Sequence, residues 1–199
     1  MDENRYALAG WIAITQAVIF PLAFVMSIAQ GIIGISAFGY RGPTFGPSDL
    51  LFITFTAMGV YTLTMFRRLL NERYNFHDID TLIIVAIWWG ILFQLSSLAL
   101  RGWIVVLWPV PETILTVVYL TFMAVAMLVA GIVDILIAVK LLKAKETLSD
   151  LLKALAYVTM AAGLLEVTVV LSPISLILVP VSCVILGLIF LRKEEVEFV

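Results

Sequence analysis

The sequence is poor in the residues that bind metals and cofactors. Its 199 residues include one cysteine, Cys183, and one histidine, His77. A single cysteine excludes an internal disulfide and a cysteine cluster for zinc or iron–sulfur. A single histidine excludes a haem held by two histidines of one chain. We therefore expect no metal and no cofactor, and we interpret His77 as a solvated residue beside a helix cap.

Charge is scarce as well. Only 13% of the residues are charged and 63% are hydrophobic, with a mean hydropathy of +1.13. A typical soluble domain is about half apolar and a quarter charged. A chain of this size cannot hide so much apolar surface within itself, so lipid must cover the excess. The composition predicts an integral membrane protein, and the lack of a basic block argues against a nucleic-acid partner.

The motifs of common enzyme classes are missing too. The sequence has no Gly-x-Ser-x-Gly elbow, no phosphate-binding loop ending in Lys-Ser/Thr and no Glu-x-x-His metal motif. Catalysis is therefore the weaker expectation, and no catalytic residue is predicted. The one enzyme class that stays open is a lipid- or quinone-handling membrane enzyme. Such an enzyme would hold a polar head group with Arg101 or with arginines on the opposite side.

Long apolar segments dominate what is present. A helix needs about 20 apolar residues to cross a hydrocarbon core of roughly 30 Å. Segments of this kind cover residues 6–38, 50–70, 81–100, 113–142, 148–171 and 174–191. The last two form one stretch, which as a single helix would be about twice as long as the membrane is thick. Ser172 and Pro173 lie near its middle, so we predict a hairpin turn there.

Basic residues are distributed unevenly between the two sides of this arrangement. Ten of the twelve lysines and arginines fall on the side of the two termini, and the other two, Arg41 and Arg101, fall on the opposite side. Because cytoplasmic loops carry the excess of basic residues, we predict that both termini are cytoplasmic. The chain is then a single all-α, polytopic membrane helix bundle in the cell (plasma or inner) membrane.

Asp134 is one of two acids that lie well inside apolar segments. It shares a helix face with small side chains spaced four residues apart, Ala126, Ala130 and Ala138. Such faces let helices approach closely in membranes, so we expect Asp134 to face protein. It is either a helix-packing site, where the carboxylate meets Arg67, Arg68 or a hydroxyl, or part of a proton or cation relay.

Glu166 is the other intramembrane acid, and we place it in the leaflet opposite to that of Asp134. Polar residues at helical spacings on the first and third helices lie at a comparable depth. We predict that Gln30, Gln94, Ser97, Arg101 and Glu166 converge on a polar cavity open to the outside, as a small-solute site requires. The alternative is an ion pair between Arg101 and Glu166, with glutamine hydrogen bonds joining the helices.

The second helix contains four threonines, Thr54, Thr56, Thr62 and Thr64. A threonine in a membrane helix usually donates its hydroxyl to a carbonyl of its own preceding turn. We therefore interpret all four as structural.

An alanine ladder, Ala9, Ala13 and Ala17, follows the first helix. With about 200 residues, six spans and both termini inside, the chain resembles the substrate-binding subunits of energy-coupling-factor vitamin importers. The resemblance covers the whole chain in outline and implies a solute-binding membrane subunit. It transfers no vitamin-specific residue to this sequence.

These features favour a small-solute transporter or a membrane solute-binding subunit, with the lipid bilayer and a small polar solute as partners. The alternative is a non-catalytic structural subunit, whose small-residue faces join helices within the chain, in a homo-oligomer or with a partner subunit. A solute site predicts a hydrated outer cavity lined by the polar residues. A structural subunit predicts that those side chains pair fully and that a large apolar face remains for a partner.

Overall fold

The computed structural model describes residues 3–38, 46–106, 112–144 and 148–192. Within these ranges it describes the backbone alone at residues 3–4, 31–38, 101–106, 112–113, 115–116 and 172–173. The described ranges hold six α-helices and no strand: α1 Glu3–Phe38, α2 Pro47–Tyr74, α3 Asp80–Val106, α4 Glu112–Lys143, α5 Asp150–Val167 and α6 Ser172–Leu191. Each predicted span coincides with one helix, which confirms the all-α bundle.

Five of these helices are long and apolar enough to cross a membrane, so the chain is a multi-pass membrane protein. The exception is α5, which carries Asp150, Lys153 and Glu166 within 18 residues. At 1.5 Å per residue α5 is about 27 Å long. It packs against both α4 and α6, so protein covers much of its surface.

The predicted hairpin between α5 and α6 is present, but its turn comes slightly earlier than Ser172 and Pro173. The helix α5 ends at Val167, and α6 already begins at Ser172. Pro173 lies in the first turn of α6, where its missing N–H costs no hydrogen bond. The chain reverses through Val169, whose φ of 55° is left-handed and uncommon for a β-branched residue.

The six helices form a closed ring. Each packs against its neighbours in the chain, and α6 packs against α1. The beginning of α1 and the end of α6 therefore meet, and the rings of Tyr6 and Phe190 stack with centroids 6.3 Å apart. Dividing each helix at its midpoint, we call the half of the bundle that contains this contact the inner half, and the opposite half the outer half.

Two pairs of glycines set the closest helix crossings. A Cβ atom on Gly10 of α1 would lie 3.0 Å from the carbonyl oxygen of Gly187 on α6. A Cβ atom on Gly131 of α4 would lie 2.7 Å from the carbonyl oxygen of Gly163 on α5, and the converse distance is the same. Backbones this close gain van der Waals contact, which is what holds helices together in lipid.

Among the described side chains, the hydrophobic core lies in the inner half. Its largest fully buried apolar side chains come from four helices and the loop before α3: Leu69, Leu70, Ile79, Ile83, Leu141 and Leu152. The alanine faces predicted on the first and fourth helices also turn inward, since Ala9, Ala13, Ala126 and Ala138 are all buried. The helix α3 is packed more loosely than α1, α4, α5 or α6.

Candidate functional site

Glu166 lies on α5, one turn beyond the crossing at Gly163, and faces α6. Its Oε1 accepts a hydrogen bond from the buried hydroxyl of Ser175, with the two oxygens 3.3 Å apart. Its Oε2 is shielded from solvent and has no hydrogen-bond partner among the described residues. A buried carboxylate oxygen left in this state is costly and requires an explanation.

Asp134 lies on α4, one turn from Gly131 on the inner side. The sequence pattern predicts that Asp134 and Glu166 lie in opposite leaflets, and they do lie in different halves of their helices. The crossing nevertheless brings Glu166 against α4, one turn from Asp134. At this crossing, a Cβ atom on Gly131 would lie 3.0 Å from the Cβ atom of Glu166.

The arginines expected to meet Asp134 are engaged elsewhere. The Nε atom of Arg67 lies 3.0 Å from Oδ1 of Asp80, and Nε of Arg68 lies 2.8 Å from Oε1 of Glu72. No described side chain pairs with Asp134, so the arginine partner predicted for it was wrong. Arg67 instead joins α2 to the start of α3. Arg68 pairs with a residue one turn along α2.

Gln30 joins α1 to the start of α2 in the outer half. Its Oε1 accepts a hydrogen bond from the hydroxyl of Ser48. The neighbouring Gly46 donates its N–H to Oδ2 of Asp49 over 2.7 Å, which caps α2. Gln30 is therefore paired, and its contacts are those of a helix-joining residue.

The polar residues Gln94 and Ser97, which were predicted to share a face of the third helix, also face protein. Ser97 is only 8% exposed and Gln94 is half-buried. The side chain of Arg101 lies outside the described residues, as does most of the Gly-Pro loop, so the predicted pair between Arg101 and Glu166 stays a prediction. The structure brings the other four predicted residues into the outer half, and no two of these described side chains hydrogen-bond to each other.

The interior of the outer half is unlike a hydrophobic core. The described side chains that are buried there are all small or polar: Ala23, Ser48, Asp49, Ser97, Ala126, Ala162 and Ser175. None of them is a large apolar residue. Small and polar side chains of this kind provide little of the apolar packing that fills a hydrophobic core.

A groove of about 440 Å³ opens in the outer half between α3 and α4. It is lined by Ser96, Ala99, Leu100, Val118 and Phe122. None of the predicted site residues whose side chains are described lines it, because Ser96 and Ala99 lie on the exposed side of α3 while Ser97 is buried. The groove lies on the exposed surface of the bundle, and no sequence pattern predicted it.

A polar link near the middle of the membrane was also missed. The amide of Gln16, buried on α1, donates to the carbonyl oxygen of Phe55 over 3.2 Å, and Thr62 donates its hydroxyl to Oε1 of Gln16 over 3.0 Å. As predicted, Thr54, Thr56 and Thr64 donate to their own preceding turns. The Thr62 hydroxyl also lies 3.1 Å from the carbonyl oxygen of Gly59, so its single proton is shared between this oxygen and Gln16. Thr62 alone is buried, and only it also joins two helices.

The described residues include no group of three or more His, Cys, Asp or Glu side chains that could hold a metal ion. His77 is exposed, with Nδ1 3.5 Å from Oδ2 of Asp80 at the start of α3. That position is the one expected for a histidine beside a helix cap.

Comparison with known proteins identifies no relative. No family model matches the chain, and neither a curated protein nor a solved structure matches it. The resemblance to vitamin-importer subunits therefore depends on helix number and the alanine ladder alone.

Proposed function

We propose that the chain is a small-solute transporter or a membrane solute-binding subunit of the cell membrane, with its site in the outer half of the ring. The observation that carries the proposal is Glu166, a membrane-buried carboxylate with one oxygen unpartnered among the described residues. An ionisable residue inside a membrane is retained at a cost, and such residues usually mark a solute or ion pathway. A solute with a hydrogen-bond donor or a positive charge would satisfy Oε2.

The neighbouring polar residues support the same location. Ser97 and Gln94 lie on the protein-facing side of α3. Ser175 donates a hydrogen bond to Oε1 of Glu166. Small side chains complete the buried lining of the outer half that the structure describes. A few polar groups in an otherwise apolar pocket fix the orientation of a small ligand.

Asp134 is a second ionisable carboxyl group, one turn along α4 from the glycine that Glu166 contacts. Two carboxylates of like charge repel when both are ionised in a medium of low dielectric. A proton or a small cation held near them removes that repulsion. We propose that Asp134 links the charge state of the site to solute occupancy.

The proposal is tested by native mass spectrometry of the tagged protein, gently extracted from its own membrane. We expect a reproducible small-molecule mass on the unmodified chain and its loss in Glu166→Gln, which keeps the size of the side chain and removes its charge. Asp150→Asn on the same helix is the matched control and should retain the mass, because Asp150 is exposed and pairs with Lys153.

One observation favours the alternative, a non-catalytic subunit of a membrane complex. The helix α3 is loosely packed and exposes Trp88, Leu92 and Leu95, which form an apolar face suited to another membrane helix. Co-purifying proteins in fixed stoichiometry, together with no small-molecule mass, would support this function and reject the solute site.

A further inference from the structure

The inner end of the contact between α1 and α2 carries a cluster of arginines that neither proposed function uses. Arg5, Arg68 and Arg73 are exposed there, and Glu72 is an acid among them. These four described side chains carry three positive charges and one negative charge, a net charge of +2. We call Arg5, Tyr6, Arg68, Glu72 and Arg73 the arginine cluster.

Tyr6 contacts two members of this cluster and holds them in position. Its buried hydroxyl donates to Oε2 of Glu72 over 2.6 Å, and its ring lies beneath Arg73, with the guanidinium carbon 5.0 Å from the ring centroid. Glu72 in turn holds Nε of Arg68 at 2.8 Å. The guanidinium groups of Arg68 and Arg73 are thus positioned before any ligand arrives, which lowers the entropy lost on binding.

The surface below the cluster is apolar and exposed. On α1, Leu8 and Trp11 lie one and two turns deeper in the membrane, and more than half of each residue is accessible. A ligand that covered both surfaces would have an anionic head and an apolar tail. The crevice between Arg5, Met65 and Arg68 holds only about 10 Å³, room for one water, so the head would lie across the guanidinium groups.

We propose that the arginine cluster binds the phosphate of an anionic phospholipid headgroup, with the acyl chains against Leu8 and Trp11. Arginine binds phosphate through paired N–H donors. Basic sites between membrane helices are a recognised way for proteins to select anionic lipids. A lipid fits better than a soluble phosphate compound, because the cluster continues directly into the exposed apolar surface of α1.

The test uses the full chain in nanodiscs that contain equal amounts of phosphatidylglycerol and phosphatidylcholine, with retained lipids counted by native mass spectrometry. We expect phosphatidylglycerol to be enriched on the unmodified chain. Each basic residue near a membrane surface contributes about a fivefold preference, so Arg68→Gln with Arg73→Gln should lower the enrichment roughly tenfold or more. Arg68→Lys with Arg73→Lys should retain most of it.

The control removes the same charge elsewhere on the inner end, by Lys143→Gln with Lys153→Gln on α4 and α5. Equal losses in the two glutamine pairs would overturn the proposal, because they would reflect the overall charge of this end alone. Stabilisation of the detergent-solubilised chain by inorganic phosphate, with no lipid enrichment, would also overturn it and indicate a soluble ligand. Thermal unfolding of every variant verifies that the chain is folded.

Discussion

The inner and outer halves of the bundle bury different kinds of side chain. The inner half packs leucines and isoleucines from four helices and the loop before α3, and its fully buried members include Leu69, Ile83 and Leu152. The outer half buries alanines, serines and one aspartate among its described residues, with Glu166 partly paired. Stability and function are often separated in this way, because a binding site needs polar groups and space that a packed core excludes.

The largest expected effect concerns the crossing at Gly163, close to the boundary between the halves. Gly163→Ala should lower the free energy of unfolding by about 2–3 kcal/mol, because the new methyl group would meet the carbonyl oxygen of Gly131 at 2.7 Å. Gly90→Ala on α3 is the control, since a Cβ atom there meets nothing within 4 Å. That variant should be neutral or slightly stabilising. Unfolding in mixed micelles measures both, and equal effects would contradict the assigned crossing.

Truncation of a core leucine comes next. Leu152→Ala should cost about 2 kcal/mol or more in the same unfolding measurement, because Leu152 is fully buried and its removal leaves a cavity in the inner half. Leu164→Ala on the same helix is the control, since Leu164 is 55% exposed and lipid replaces its contacts. If the two alanine variants lost equal stability, the inner half would not be the packed core.

Glu166→Gln should affect stability much less than either substitution above. The amide keeps the size of the side chain and removes a buried charge with only one described hydrogen bond. We expect a change within about 1 kcal/mol, together with loss of the bound solute. A large loss of stability in this variant would instead identify Glu166 as a helix-joining residue.

The smallest effect is expected at the polar link near the middle of the membrane. Thr62→Val removes the hydrogen bond to Gln16 and should cost about 0.6 kcal/mol, the average for hydrogen bonds between membrane helices. Thr64→Val removes only a bond to the preceding turn and should cost less. A double-mutant cycle with Gln16→Leu isolates the contribution of the pair, and zero coupling would rule out a stabilising link.

The arrangement of helices could be predicted from the sequence because each span needs a long apolar segment to cross the bilayer. The end of α5 could not be predicted, because a reversal through Val169 replaces the last turn predicted for this helix. No local pattern indicates the left-handed backbone of Val169. The partner of Arg67 was missed for a related reason. The fold of the short loop before α3 makes Asp80 the partner of that arginine.

The site itself stays a prediction, but some positions of its residues could be predicted. Helical spacing predicts that Ser97 faces protein, and it is buried; the distance of Glu166 from the turn before α6 predicts its position in the outer half. Depth counted along each helix separately could not show that Asp134 and Glu166 approach each other, because the contact depends on where α4 and α5 cross. The pairing of Gln30 with Ser48 was likewise hidden, since it depends on where the chain re-enters the bundle at Gly46.

The central claim, a polar site in the outer half above a dry inner core, is tested most directly by thiol accessibility. In a background with Cys183→Ala, which removes the natural thiol, Ser97→Cys and Ala156→Cys place single cysteines in the outer and inner halves. Both native residues are buried. A hydrophilic, membrane-impermeant thiol reagent added from the outside should modify the cysteine at position 97 and leave that at position 156 unmodified. Equal protection of both positions would contradict the claim.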